Sequence, residues 1–94
     1  MKDLSVIIIN YNVKEFLLNL LGSLSKALKN ISSEIIIVDN ASDDGSVEIL
    51  RKKFPKIKLI ANKNNVGFGA ANNQALKIAK GKYFLLINPD AIVR

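Results

Sequence analysis

Four short runs of β-branched and aliphatic residues dominate this chain: Ser5-Val6-Ile7-Ile8-Ile9, Ile35-Ile36-Ile37-Val38, Lys58-Leu59-Ile60-Ala61 and Tyr83-Phe84-Leu85-Leu86-Ile87. The first two hardly alternate with polar residues, so both of their faces must be covered, as in strands held between two helical layers. The intervals carry a different period. From Val13 to Ile31, Val13, Leu17, Leu20, Leu21, Leu24, Leu28 and Ile31 recur at helical spacing, with Lys14, Asn19, Lys26 and Lys29 largely opposite. That stripe is under three heptads long, which favours packing on a sheet over a coiled coil. Ser46 or Asp44 is placed to cap a second helix, lined by Val47, Leu50 and Phe54 and stopped by Pro55. A third helix is predicted from about Ala70 to Lys80, with Ala71, Ala75, Leu76 and Ala79 inward and Gly81 as its stop. The order β-α-β-α-β-α-β implies right-handed crossovers and a mainly parallel sheet of about four strands. One domain of Rossmann-like, three-layer α/β/α architecture is expected.

Composition narrows the chemistry by what it omits. The 94 residues include no Cys and no His, which excludes disulfides, thiol nucleophiles, imidazole bases and His- or Cys-ligated metals within the chain. Fourteen Lys and Arg against eight Asp and Glu leave a net charge of +6, a balance suited to nucleic acid, anionic lipid or phosphorylated small molecules. Arg51-Lys52-Lys53 is the only basic run, and no RRM-like aromatic motif, zinc finger or basic heptad region accompanies it, so a nucleic-acid partner is not expected. No stretch approaches the roughly 20 apolar residues of a membrane span. The N-terminus, Met1-Lys2-Asp3 followed by Leu4 to Ile9, is too short in its apolar part for a signal peptide and reads as a strand. Cytoplasmic residence is the expectation.

Each strand run ends in amides or carboxylates: Asn10-Tyr11-Asn12, Asp39-Asn40, Asn62 to Asn65, and Asn88-Pro89-Asp90. In a parallel sheet these ends share one edge, where open α/β sheets bind ligands at the point where strand order reverses. The ligand is less easily read. A P-loop is absent, and Gly67-Phe68-Gly69-Ala70-Ala71-Asn72 is a broken GxGxxG, with Asn72 in the last glycine position and the wrong strand before it. Its glycines still suit a backbone approach to an anion such as a diphosphate. Asp39 is of the type that accepts hydrogen bonds from a base N–H or a ribose hydroxyl. Asp90 offers a hard oxygen for Mg²⁺ or Mn²⁺, which bind carboxylates together with substrate phosphates.

These motifs together resemble the amino-terminal, nucleotide-sugar-binding half of family 2 glycosyltransferases, which have the GT-A fold. The matching elements are Ser5 to Asn12, Glu34 to Ser46, Asn65-Val66-Gly67-Phe68-Gly69 with Asn72-Asn73, and Tyr83 to Asp90, in the family's order and spacing. The resemblance implies that Asn10, Tyr11, Asn12, Asp39 and Asn40 hold the nucleoside, with Asp39 at the base. It also implies that Asn65, Gly67, Asn72 and Asn88 border the nucleotide, and that Asp90 binds a divalent ion bridging the donor diphosphate. Asn88-Pro89-Asp90 stands where the family has its Asp-x-Asp motif, so the first acid is replaced, and Asn72 stands where many members carry Arg. The Asn-Pro-Asp form is similar to the rhamnosyltransferase-like branch and related cell-surface polysaccharide enzymes.

The function so implied is transfer of a sugar from a UDP- or dTDP-sugar to a saccharide or lipid-linked acceptor, with possible peripheral association at the cytoplasmic face of a membrane. Residues 1–94 would be the donor- and metal-binding part, the acceptor half and the catalytic base lying downstream. Asp43 and Asp44 read as turn and cap residues rather than that base. On this view the chain alone is inactive, and it self-associates through an open sheet edge. The alternative is a non-catalytic nucleotide- or partner-binding fragment, a split-enzyme subunit or a pseudoenzyme.

Overall fold

The computed structural model describes residues 2–88, so Pro89 and Asp90 lie outside the described residues. Strands β1 (Lys2–Asn10), β2 (Ser33–Asn40), β3 (Lys58–Asn62) and β4 (Gly81–Ile87) alternate with helices α1 (Lys14–Ala27), α2 (Ser46–Lys53) and α3 (Gly67–Ile78). All strand pairs are parallel and the order is β3-β2-β1-β4. The chain therefore walks outward from β1 to β3 and returns past β1 to lay down β4. The reversal of strand order falls at β1, which is the position from which doubly wound sheets open a crevice.

The uninterrupted apolar runs of β1 and β2 are explained by what covers them. Val6, Ile8 and Ile37 pack with Leu17 and Leu21 of α1 and Leu50 of α2 on one face. Ile7, Ile9, Ile36 and Val38 pack with Ala71 and Ala75 of α3 on the other. Small alanines let α3 lie close to the sheet, whereas the first face takes the larger leucines. At the central strands, three layers are thus formed as expected. The far edge differs: Tyr83, Phe84, Leu85 and Leu86 of β4 are 43% to 64% exposed although the strand is apolar on both faces.

Three helix boundaries depart from the periodicity. Helix α1 stops at Ala27 rather than near Ile31, because the Leu28 N–H closes on Leu24 O and the Ile31 N–H on Leu28 O in a terminal turn. Helix α3 begins at Gly67, not Ala70, since the Asn65 side chain accepts the Gly67 N–H at 2.8 Å and starts the helix three residues early. The N-cap of α2 is Gly45, at φ 86°, with Asp44 one residue ahead of it. Leu76, expected inward, is exposed.

The opposite, amino-terminal edge of the sheet is closed by one carboxylate. Glu34 is buried at the start of β2 and accepts hydrogen bonds from Ser5 Oγ (2.6 Å), the Lys80 N–H (2.6 Å) and Lys58 Nζ (2.8 Å). Ser5 Oγ in turn accepts the Gly81 N–H at 2.8 Å. Burial opposes the Glu34 charge, but the bonds from Lys58, Lys80 and Ser5 outweigh it and hold the carboxyl at about 2. Gly81 is required by the close approach of two strands: a Cβ there would stand 2.5 Å from Ser5 N and Oγ.

Candidate functional site

The carboxyl edge is built as two linked loops over the ends of β1 and β2. Asn10 and Asp39 are register partners at the last turns of these strands, and both are buried. Asn10 Nδ2 donates to Asp39 Oδ1 at 2.7 Å and to Ser42 Oγ at 3.3 Å. The Ser42 N–H donates to Asp39 Oδ2 at 2.9 Å, so each carboxylate oxygen holds a different loop. Ser42 Oγ also accepts the Asn12 N–H at 2.9 Å, and Asn12 Oδ1 accepts the Asp43 N–H at 2.9 Å. These cross-bonds fix Asn12 and Ala41 at φ 52° and 66°. The left-handed region costs a non-glycine residue roughly 1 kcal/mol, and such strain persists where surrounding bonds over-determine it.

Asp44 secures the same edge from the helix side. Its Oδ2 accepts the N–H of Lys14, first residue of α1, at 3.0 Å, and its Oδ1 accepts the N–H of Ser46, first residue of α2, at 3.0 Å and the Ser46 hydroxyl. One carboxylate therefore meets the positive ends of two helices. Burial pushes the Asp44 carboxyl up, but the Ser46 hydroxyl and the backbone N–H groups of Lys14 and Ser46 more than reverse this and hold it below its ordinary range. Asp44 is thus a cap, as its surroundings in the sequence suggested, but for two helices rather than one.

On the other side of β2, an amide chain ties β3 and α3 to the edge. Asn40 Nδ2 donates to Gly67 O at 3.2 Å, Asn62 Nδ2 donates to Asn40 Oδ1 at 3.0 Å, and Asn62 and Gln74 exchange amide hydrogen bonds at 2.8 and 3.0 Å. Gly67 adopts φ 85°, which favours glycine at the point where the loop turns into α3.

Between these two systems lies a cleft of about 220 Å³ lined by Ile9, Tyr11, Asn40, Asn65, Gly67, Phe68 and Asn88. Five residues singled out from the sequence, Tyr11, Asn40, Asn65, Gly67 and Asn88, meet there, drawn from four separate segments. Asn10, Asn12, Asp39 and Asn72 do not line it. Asn10 and Asp39 are buried at the strand ends, Asn12 belongs to the loop clasp, and Asn72 lies within α3. The Oδ1 atoms of Asn10 and Asn72 are buried without a hydrogen-bond partner among the described residues. Asp90 lies outside the described residues. Sequence reasoning missed Phe68, whose exposed ring borders the cleft, and Ser42, the hub of the clasp. Two larger cavities lie elsewhere, one of about 450 Å³ beside Asn12, Glu15 and Asp44 and one of about 460 Å³ at the other end of the sheet. Among the described residues, no three Asp, Glu, His or Cys side chains cluster as a metal site.

Residues 5–94 match the sequence pattern of the family described as glycosyl transferase family 2. The chain belongs to glycosyltransferase family 2. Within the family it is 41% identical over 92 residues to the Escherichia coli UDP-Glc:alpha-D-GlcNAc-diphosphoundecaprenol beta-1,3-glucosyltransferase WfaP, covering 96% of this chain and 36% of that protein. It is 37% identical over 92 residues to a poly(ribitol-phosphate) beta-glucosyltransferase of Bacillus spizizenii, covering 93% of this chain and 14% of that protein. The fold matches the crystal structure of Staphylococcus aureus TarS 1-349 with a TM-score of 0.80 at 32% identity, over 94% of this chain and 27% of that one. The TarS fragment has also been solved with UDP and with UDP-GlcNAc. This family 2 chain thus spans roughly a third or less of each relative, and the Rossmann-like, GT-A type architecture expected for it is the one found.

Proposed function

We propose that this chain is the donor-binding part of a glycosyltransferase that takes its sugar from a UDP- or dTDP-sugar and delivers it to a saccharide or lipid-linked acceptor. The observation that carries the reading is the meeting of Tyr11, Asn40, Asn65, Gly67 and Asn88 in one cleft beside the switch strand β1. At about 220 Å³ the cleft holds a nucleobase with part of a ribose, not a whole nucleotide sugar. Tyr11 and Phe68 supply faces for a base, and the amides of Asn40 and Asn65 supply donors and acceptors for base and ribose. In this reading Asp39 acts at the base end, by holding Asn10 and the Ser42 loop in place beneath it. Asn10 and Asn72 keep buried carbonyl oxygens without a partner among the described residues, and neither lines the cleft.

The diphosphate falls toward Asn88 and the first turn of α3, whose helix N-terminus favours anions. The two oxygens of Asp39 are engaged by Asn10 and the Ser42 N–H at the strand ends. As the family resemblance implies, Asp90 would hold the divalent ion, and a carboxylate together with a diphosphate and water is a donor set that suits Mg²⁺ or Mn²⁺. When bound, that ion neutralises charge on the departing nucleoside diphosphate. Asp44 is taken up as the cap of two helices and Asp43 is held in the clasp through its main-chain N–H, so neither is assigned as the base that takes a proton from an acceptor. As the family resemblance implies, the catalytic base and the acceptor half lie downstream of this donor-binding part, which by itself binds donor without transferring sugar. A rhamnosyltransferase-like donor remains part of the proposal through the Asn-Pro-Asp form of the β4 end.

A second reading, a nucleotide-binding subunit completed by a partner, is favoured by the bare apolar residues of β4. Calorimetry with UDP, dTDP and GDP, with and without Mn²⁺, tests the site. Tyr11→Ala is expected to weaken UDP at least tenfold, and Asp90→Asn to abolish the Mn²⁺ enhancement alone. Undiminished UDP binding by both variants would overturn the assignment. Sugar transfer from a radiolabelled donor by this chain unaided would overturn its inactivity.

A further inference from the structure

The chain's charges are sorted along the strand axis. Strands begin and helices end at the edge opposite the cleft, since each helix runs back against the strands it connects. Lys26 and Lys29 close α1, and Arg51, Lys52 and Lys53 close α2. Lys56 and Lys58 lead into β3, Lys77 closes α3, Lys80 and Lys82 flank the start of β4, and Lys2 opens β1. Eleven of the fourteen Lys and Arg therefore lie at this edge, all exposed, against only Asp3 and Glu34. Glu34 is buried and already answers Lys58. At the cleft edge the described charges reverse: Lys14 and Lys63 face Glu15, Asp39, Asp43, Asp44 and Glu48.

The basic edge is not purely polar. The cavity of about 460 Å³ opens there, lined by Leu24, Leu28, Phe54 and Ile57 and flanked by Lys2 and Lys56. Ile31, at the turn before β2, and Tyr83, whose ring lies 5.8 Å from Lys82 Nζ, are also exposed. A lysine-dominated surface with apolar groups and an amphipathic ring among the cations has the chemistry of a lipid headgroup region, where basic clusters meet anionic headgroups and apolar groups enter the interface.

We propose that the amino-terminal edge of the sheet docks on an anionic phospholipid surface. The charge separation sets the orientation, because the same surface that attracts the lysine edge repels the acidic one. Nine residues of β1 at about 3.3 Å each place the cleft about 30 Å from the lipid, open to water and to a soluble nucleotide sugar. The proposal rests on the charge map and does not depend on what occupies the cleft.

Flotation of the 94-residue chain with vesicles of phosphatidylcholine containing 30% phosphatidylglycerol, against pure phosphatidylcholine, tests it. Binding is expected only to the anionic vesicles and is expected to fall at least tenfold between 50 and 500 mM NaCl, as screening shortens the reach of the charges. Lys52→Glu with Lys56→Glu should reduce it at least tenfold. Lys14→Glu with Lys63→Glu, which has the same net charge, should reduce it less than threefold. Equal losses in the two double variants, or equal binding to both vesicle types, would overturn the docking edge. Binding to a 30-base-pair DNA duplex that matches the vesicle affinity and is lost in the Lys52/Lys56 variant would overturn the lipid assignment in favour of nucleic acid.

Discussion

The Oε2 atom of Glu34 accepts the backbone N–H of Lys80 at 2.6 Å across forty-six residues of sequence. Through this bond and its neighbours at Ser5 and Lys58, the amino end of β2 holds the beginning of β4. The carboxyl of Glu34 lies at about 2 in the folded chain, below its ordinary 4.5. Its stabilisation is therefore present in full above about pH 4.5 and is lost as the pH falls toward 2, amounting at most to about 3 kcal/mol. Urea unfolding between pH 7 and pH 2 should show this fall, and Glu34→Gln should flatten it while lowering stability at pH 7.

Gly81→Ala should destabilise the chain by about 2–4 kcal/mol, because the added methyl would meet Ser5 N at 2.5 Å and Leu4 C at 2.8 Å, both main-chain atoms with little room to yield. Since two of the three close atoms are backbone and only the Ser5 hydroxyl can be trimmed, a Gly81→Ala/Ser5→Gly double variant should not restore the melting temperature. A full recovery in that variant would place the conflict at the hydroxyl instead.

Removing Asp44 should loosen two helices at once. Asp44→Ala leaves the first N–H groups of α1 and α2 without their acceptor, a loss of about 2 kcal/mol in total. Amide exchange should accelerate at both Lys14 and Ser46, residues 32 positions apart in sequence. Acceleration at Ser46 alone would mean an ordinary single cap.

The outer side of β4 should drive association between copies. Its exposed residues, Tyr83 to Leu86, lie on the strand that ends the sheet among the described residues, where one row of backbone groups has no neighbouring strand. Sedimentation at increasing concentration should show oligomers, and Leu85→Lys with Leu86→Lys should shift the distribution toward monomer. A wild-type monomer at the highest soluble concentration would sink this prediction.

The fold was legible because the strands are nearly pure: a run such as Val6 to Ile9, apolar on both faces, has few homes except the middle of a covered sheet. The cleft was legible where the strand-end rule applies, at Tyr11, Asn40 and Asn88. Asp39 turns to Asn10 and the Ser42 N–H rather than lining the cleft, an orientation that depends on partners two loops apart and leaves no mark in the sequence. The double cap by Asp44 was hidden for a related reason, since the Lys14 N–H is a main-chain group and leaves no mark in the residue types. Helix α3 began early because Asn65, an ordinary loop former by composition, supplies the oxygen that starts it. Leu76 was misplaced by a helical period that alanines at 71 and 75 already satisfy.

The reversal of strand order at β1 also bears on how the chain is made. Strand β1, made before the other three, is the one that needs neighbours on both sides, and its outer partner is residues 81–87, paired from Lys2 through Ile8. At the ordinary pace of synthesis, about 5–20 residues per second, β1 waits some seconds before β4 emerges. Throughout that interval Val6 to Ile8 have one vacant hydrogen-bonding side, so the centre of the finished sheet is an open edge on the ribosome.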